Sequence, residues 1–134
     1  MADPYVLVDS SIWVLCYRRG TPTEVAARVR ELLVERRVAT VGPVVLEVLG
    51  GARDENEYEQ MREEFEAYHW CELSAATWQI AARDAYELRL KGITVPLTEV
   101  VIARVARDNG YTLLHRDRHF ELIGRQIGLQ TKTV

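Results

Sequence analysis

An unbroken apolar run near the start of the chain ends at a carboxylate, and this junction constrains the fold most. Residues 5–8 are aromatic or aliphatic, and Asp9, Ser10 and Ser11 follow them directly. A strand covered on both faces has such a continuous apolar run, so we predict a buried strand with Asp9 at its carboxyl end. In open parallel sheets, ligands bind at that edge. Asp and Ser are also preferred helix N-caps, so Asp9 or Ser10 could instead serve only to start the next helix.

The rest of the chain alternates short apolar runs with longer amphipathic segments. The runs predict strands at residues 38–41, 70–73 and 111–114, with an edge strand within 128–134. Helical periodicity predicts a helix that begins near Ile12 and further helices at about residues 22–35, 43–50, 53–67, 75–90 and 99–109. Such alternation is typical of an α/β protein with three layers and a mainly parallel central sheet flanked by helices. At this length we expect a single domain over residues 1–134.

Two local details are specific enough to be tested. Residues 21–24, Thr-Pro-Thr-Glu, match a capping box at the start of the second helix. In the helix over residues 75–90, the spacing predicts that Trp78, Ala82, Ala85 and Leu88 face inward.

Composition limits the class of protein. The net charge of −3 argues against a protein that holds nucleic acid by bulk electrostatics alone. If four of the 20 acidic residues belong to one metal site, however, 16 acidic residues face 17 basic ones and the remainder carries +1. The two cysteines are too few for a disulfide scaffold. The first residues lack a basic segment, and no apolar run is long enough to span a bilayer, so we expect a cytoplasmic protein without a signal peptide or membrane contact.

Three further acids lie at the ends of predicted elements or at the edge of the predicted core. Asp117 follows the apolar run at 111–114, as Asp9 follows the first strand. Glu47 lies at the edge of the apolar stripe of the third helix, where we expect its carboxylate to point along the core boundary. Glu99 stands in the first turn of an apolar helix, where the helix dipole alone favours an anion. Each acid has an ordinary structural explanation by itself, but together they indicate a carboxylate cluster.

A cluster of carboxylates is unfavourable without a cation, because neighbouring like charges raise each other's pKa. Hard cations such as Mg²⁺ or Mn²⁺ take oxygen ligands, and Mg²⁺ commonly combines one or two carboxylates with waters and substrate phosphate. The chemistry that such a site favours is hydrolysis of phosphodiester bonds.

Four segments in order resemble the motifs of PIN-domain ribonucleases, and among them the VapC-type toxins of toxin–antitoxin pairs. These segments are residues 8–13, 43–47, 97–103 and 114–120, so the resemblance extends over nearly the whole chain. It implies a PIN-like fold and an Mg²⁺- or Mn²⁺-dependent endoribonuclease that cuts structured RNA such as transfer or ribosomal RNA. It also implies a homodimer and a cognate antitoxin that holds the enzyme inactive.

The resemblance assigns roles to individual residues. Asp9, Glu47 and Asp117 match the metal-site acids of the family, and Ser11 matches a hydroxyl that supports the metal or its water. Glu99 occupies the fourth acid position, where the family commonly has Asp, so the longer side chain could alter the metal position or preference. His119 stands where many relatives have a further Asp.

Arg116 and Arg118 flank Asp117 and are candidates for contacts with RNA phosphate, although solvated surface charges explain them equally well.

Other functions remain open at this level. The Glu99 and His119 departures favour a non-catalytic PIN-like binding subunit with a weakened metal site. A phosphate-transfer receiver or an aspartyl phosphatase also centres on an acid after a strand, but the latter needs a second Asp where Ser11 stands. His115 and His119 raise the possibility of a zinc site, which is disfavoured because they do not share one helical face.

Overall fold

The computed structural model describes residues 4–134, and within them five strands form one parallel sheet flanked by seven helices. Residues 1–3, on which the expectation of no signal peptide partly rests, lie outside the described residues. The elements in chain order are β1 Val6–Val8, α1 Ser10–Cys16, α2 Thr23–Val34, β2 Val38–Val41, α3 Gly42–Gly50, α4 Glu55–Glu66, β3 His69–Cys71, α5 Ala75–Leu90, α6 Leu97–Asn109, β4 Thr112–His115, α7 His119–Ile127 and β5 Thr131–Thr133.

The strand order is β3-β2-β1-β4-β5, and every neighbouring pair is parallel. The chain therefore adds β2 and β3 on one side of β1 and then returns to add β4 and β5 on the other side. The order reverses between β1 and β4, where Val8 pairs with Leu114. In open α/β sheets the crevice at such a reversal, at the carboxyl ends of the strands, is the usual ligand site. The predicted three-layer α/β/α fold is confirmed.

The core confirms the prediction that the central strands are covered on both faces. All residues of β1 and β2 are buried. Helix α6 buries six residues and ends at Gly110, which adopts a left-handed conformation with φ of 72°. Glycine has no Cβ penalty there, which explains why the helix stops at the predicted position. Among residues 4–134, no helix combines the length and apolar character that a membrane span needs.

The predicted inward face of α5 is only partly right. Leu88 is buried and Ala85 is partly buried, as predicted, but Trp78 and Ala82 are exposed. The buried residues are Ala81, Asp84 and Leu88, whereas Trp78 is 51% exposed. The helix is rotated relative to the prediction because Asp84 forms an ion pair with Arg104 of α6, which allows a carboxylate to occupy an interior position. The hydrophobicity of Trp78 predicts an interior position, and a prediction from α5 alone could not include the ion pair between Asp84 and Arg104.

Three predictions of local structure also need correction. The capping box at residues 21–24 is absent from the described structure, because Thr21 Oγ1 donates to Leu15 O at 2.6 Å and Pro22 is the N-cap of α2. The third strand runs over His69–Cys71, so it begins one residue earlier and ends two residues earlier than predicted. Helix α7 was not predicted, although Phe120, Ile123 and Ile127, all buried, have helical spacing.

Candidate active site

The carboxyl ends of β1 and β4 bring two of the sequence-identified acids to one edge of the sheet. Asp9 directly follows β1, and its N–H donates to Leu114 O at 2.9 Å, which ties it to the neighbouring strand. Asp117 lies two residues beyond the end of β4. The two residues therefore flank the reversal of strand order.

Asp9 is buried and also caps α1. The residue is 4% exposed, and Oδ2 accepts a hydrogen bond from Ser11 N at 2.9 Å. The prediction that Asp9 is a helix N-cap is therefore confirmed. Because the cap lies at the carboxyl edge of the sheet, it also orients the carboxylate toward the cleft described below.

Glu47 reaches the same region from α3, but not in the expected way. Its side chain is exposed instead of pointing along the core boundary, because Val44 and Val48 take the core-facing positions of α3. Ser10 Oγ donates to Glu47 Oε2 at 2.8 Å. The first helix thus holds Glu47 beside Asp9, although the two residues are far apart in the chain.

Glu99 and His119 form the other side of the site. Glu99 lies in the first turn of α6, and its Oε2 is 3.1 Å from His119 Nδ1. Burial, followed by hydrogen bonding and charge repulsion from Asp117 and by the charges of Asp9 and Glu47, raises the pKa of Glu99 to about 8. The metal-free site therefore does not hold all its carboxylates ionised at neutral pH, which is the behaviour expected where carboxylates converge.

Asp117 has the opposite shift. Burial acts to raise its pKa, but hydrogen bonds with Glu99 and with His119 N–H, and the charges of His119 and His115, lower it overall. His119 N donates to Asp117 Oδ1 at 3.0 Å, and Asp117 N donates to His115 Nδ1 at 3.2 Å. The backbone around Asp117 is therefore fixed by two histidines with different roles.

The two histidines differ in access to the site. His115 is fully buried, and burial lowers its pKa, so its ring is neutral. His119 is 34% exposed, and it groups with Glu99 and Asp117 so that one potential ligand atom from each lies within 4.8 Å of the others.

The acids line an open cleft of about 630 Å³. Ser11 also lines it, and Ser11 Oγ accepts a hydrogen bond from Arg116 N at 3.0 Å, which links α1 to the segment after β4. Within residues 4–134, the cleft-lining arginines are Arg18 and Arg116, while Arg118 is exposed but not among the lining residues. All four acids identified from the sequence line the cleft: Asp9, Glu47, Glu99 and Asp117.

Comparison with known proteins decides the family. No protein-family model matches the chain. It is, however, 33% identical over 129 residues to VapC ribonuclease Mb1587 of Mycobacterium bovis, an alignment that covers 93% of this chain and 96% of that protein. Ribonuclease VapC11 of Mycobacterium tuberculosis matches with the same identity and coverage. The chain belongs to the VapC ribonuclease family.

The fold agrees with solved VapC-containing complexes. VapBC2 from Rickettsia felis, solved bound to a DNA fragment from its promoter, matches with a TM-score of 0.78 over 97% of this chain and 98% of that chain. The sequence identity of 16% is low, so this likeness establishes the fold.

Two features of this VapC-family cleft were missed from the sequence. From the sequence, Arg18 was interpreted only as part of a polar break after the first helix. Because that helix starts at the site, an arginine close to its end could have been identified as a candidate for the cleft that it lines. The bond from Ser10 to Glu47 joins residues 37 positions apart, so no local pattern could have indicated it.

Proposed function

We propose that the chain is a metal-dependent endoribonuclease and the toxin of a toxin–antitoxin pair, which hydrolyses phosphodiester bonds in structured RNA such as transfer or ribosomal RNA. The observation that carries this proposal is the convergence of Asp9, Glu47, Glu99 and Asp117 in one cleft. Membership of a family of ribonucleases supports it. We place the activity in the cytoplasm, where these RNAs occur.

The donor set fits a divalent cation. The four acids offer oxygen ligands of the kind that Mg²⁺ and Mn²⁺ accept. The raised pKa of Glu99 supports the fit, since its causes include the charges of Asp117, Asp9 and Glu47, which a bound cation would offset. We propose Asp9, Glu99 and Asp117 as the metal-holding acids, with Glu47 as the fourth and Ser11 as a supporting hydroxyl. Held by these residues, a divalent cation would supply stabilisation of negative charge on the phosphate oxygens and activation of the attacking water.

The residues of the chain then have distinct tasks. The cap bond from Ser11 N holds the Asp9 carboxylate, and Ser10 Oγ holds Glu47. Arg18 and Arg116 lie in the wall of the cleft, where their guanidinium groups are suited to bidentate contacts with RNA phosphates. Arg118 is a candidate for a more distant phosphate contact.

Asp9→Asn tests the proposal. Asparagine keeps a side-chain oxygen that can accept from Ser11 N, so the fold should persist while one anionic ligand is lost. We expect inducible expression of the wild-type chain in bacteria to arrest growth and to produce a few discrete new RNA ends. In Asp9→Asn, cleavage should fall by more than about 100-fold.

Asp54→Asn is the matched control. Asp54 caps α4 by accepting from Glu57 N at 2.8 Å, as Asp9 caps α1, but it does not line the cleft. This variant should cleave at the wild-type level. Cleavage by Asp9→Asn at the same rate and sites as Asp54→Asn would contradict the proposed site.

A non-catalytic binding subunit is the second candidate. The observation that favours it is the contact of His119 Nδ1 with Glu99 and Asp117, at 3.1 Å in each case, because an imidazole between the two carboxylates could occupy the place of a metal. Calorimetric titration with Mn²⁺ separates the two candidates. The nuclease should bind Mn²⁺ saturably, and Asp9→Asn should weaken that binding. A non-catalytic subunit should show no such binding.

A cognate antitoxin and a homodimer are the partners that we propose. Large apolar side chains are exposed on the surface, among them Trp78, Leu90 and Leu97, and Tyr86 and Leu97 line an apolar hollow between α5 and α6. Solved relatives of the same fold include VapBC complexes. Light scattering of the purified chain at several concentrations, with and without a co-expressed antitoxin, measures both associations.

A further inference from the structure

The imidazole of His119 lies between two carboxylates of the cleft. Its Nδ1 is 3.1 Å from Glu99 Oε2 and 3.1 Å from Asp117 Oδ1. The three side chains come from α6, from the segment after β4 and from the first residue of α7. One nitrogen and two oxygens therefore converge, each from a different part of the fold.

The backbone holds His119 in this position. Its N–H donates to Asp117 Oδ1 at 3.0 Å, and the next residue, Phe120, is fully buried. Phe120 anchors the first turn of α7 in the core, which fixes the backbone at position 119. Because the ring remains 34% exposed, solvent and ions can reach it.

The distances from His119 Nδ1 to the two carboxylate oxygens suit a shared cation. Ligands at right angles around a divalent metal, with bonds of about 2.1 Å, lie about 3 Å apart. The observed separations of 3.1 Å from Nδ1 to each carboxylate oxygen correspond to this arrangement. Imidazole nitrogen favours transition-metal ions, whereas an all-oxygen site suits Mg²⁺.

We propose that His119 Nδ1 is a metal ligand beside Glu99 and Asp117, and that it makes the site select transition-metal dications such as Mn²⁺ and Co²⁺ over Mg²⁺. This inference rests on the proposed function, because it concerns the metal site of that activity. It assigns the metal preference of this chain to a nitrogen donor at a position where the family resemblance implies an Asp.

His119→Asp tests the assignment. Aspartate at the start of α7 is favourable for the helix and restores an all-oxygen set, so the variant should fold. The first measurement is electron spin-echo envelope modulation of the protein with equimolar Mn²⁺, which detects hyperfine coupling to a coordinated nitrogen. The wild-type protein should show this coupling and His119→Asp should lack it.

His69→Gln is the matched control. His69 begins β3 at the amino edge of the sheet and stacks on Tyr5, with ring centroids 4.3 Å apart, so it is a partly accessible imidazole far from the cleft. This variant should retain the nitrogen coupling.

The second measurement is calorimetric titration with Mg²⁺, Mn²⁺ and Co²⁺. The ratio of Mn²⁺ to Mg²⁺ affinity should fall by about tenfold in His119→Asp and remain unchanged in His69→Gln. Mn²⁺ that binds in the wild-type protein without nitrogen coupling, and with the same ratio in His119→Asp, would overturn this inference and leave the metal site of the proposed function intact. Absence of saturable binding of all three ions would overturn both.

Discussion

Removal of Arg104 should destabilise the protein strongly, because it leaves a carboxylate buried without its partner. Arg104 Nε and Nη2 contact Asp84 Oδ2 and Oδ1 at 2.6 and 2.7 Å, a bidentate pair that joins α6 to α5. The two side chains are only 11% and 7% exposed. In Arg104→Met the aliphatic volume is largely kept, while both charge-assisted hydrogen bonds to Asp84 and a longer one to Asp108 Oδ1 at 3.1 Å are lost.

The magnitude follows from this geometry. Breaking a buried pair from one side costs about 3–5 kcal/mol, and we take about 3 kcal/mol because both side chains keep some solvent contact. For a chain of 134 residues this loss corresponds to a fall in Tm of about 10 °C. Thermal unfolding followed by circular dichroism, with urea unfolding at constant pH and salt, measures both quantities.

Two variants make the test specific. Arg83→Met breaks the exposed pair of Arg83 with Glu87, which lies on the same helix, and should cost no more than about 0.5 kcal/mol. The double variant Asp84→Leu with Arg104→Met should recover most of the loss, because no buried charge remains. If Arg104→Met loses no more stability than Arg83→Met, the account of the α5–α6 contact is wrong.

Two further predictions concern pH and packing. The pKa of Glu99 is raised from 4.5 to about 8, so the folded state binds this proton more tightly than the unfolded state, and the metal-free protein should lose stability as pH rises between these values. Between about pH 5 and about pH 8, the free energy of unfolding in urea should fall less in Glu99→Gln than in wild type. An equal fall in both proteins would contradict the assignment of this pKa to Glu99. Gly124→Ala should lower the free energy of unfolding by about 1 kcal/mol, since a Cβ there would meet Leu129 O at 3.1 Å and Thr131 Cγ2 at 3.3 Å. Gly50→Ala, where nothing lies within 4 Å of the added Cβ, should be neutral or stabilising by up to about 1 kcal/mol. If the free energy of unfolding changes with the same sign in both glycine variants, the packing argument is wrong.

The order of elements and the edge of the sheet that carries the site could be predicted from the sequence alone. The apolar run before Asp9 predicts a strand covered on both faces, and helical periodicity predicts α5 with its observed bounds. These features depend on residues close together in the chain, so local patterns contain the necessary information. The acids after β1 and β4 could be assigned to one edge because parallel strands end on the same side.

Only the tertiary structure decided how side chains from distant segments meet. The inward face of α5 depends on Arg104, and the position of Glu47 depends on Ser10, so neither could be deduced from its own helix. Asp9 had two explanations in the sequence, and the fold makes it both an N-cap and a cleft carboxylate. The contact of His119 with Glu99 spans 20 residues and requires α6 and α7 to pack together. The sequence determines which elements form because that choice depends on neighbouring residues, whereas long-range packing determines which charges become partners.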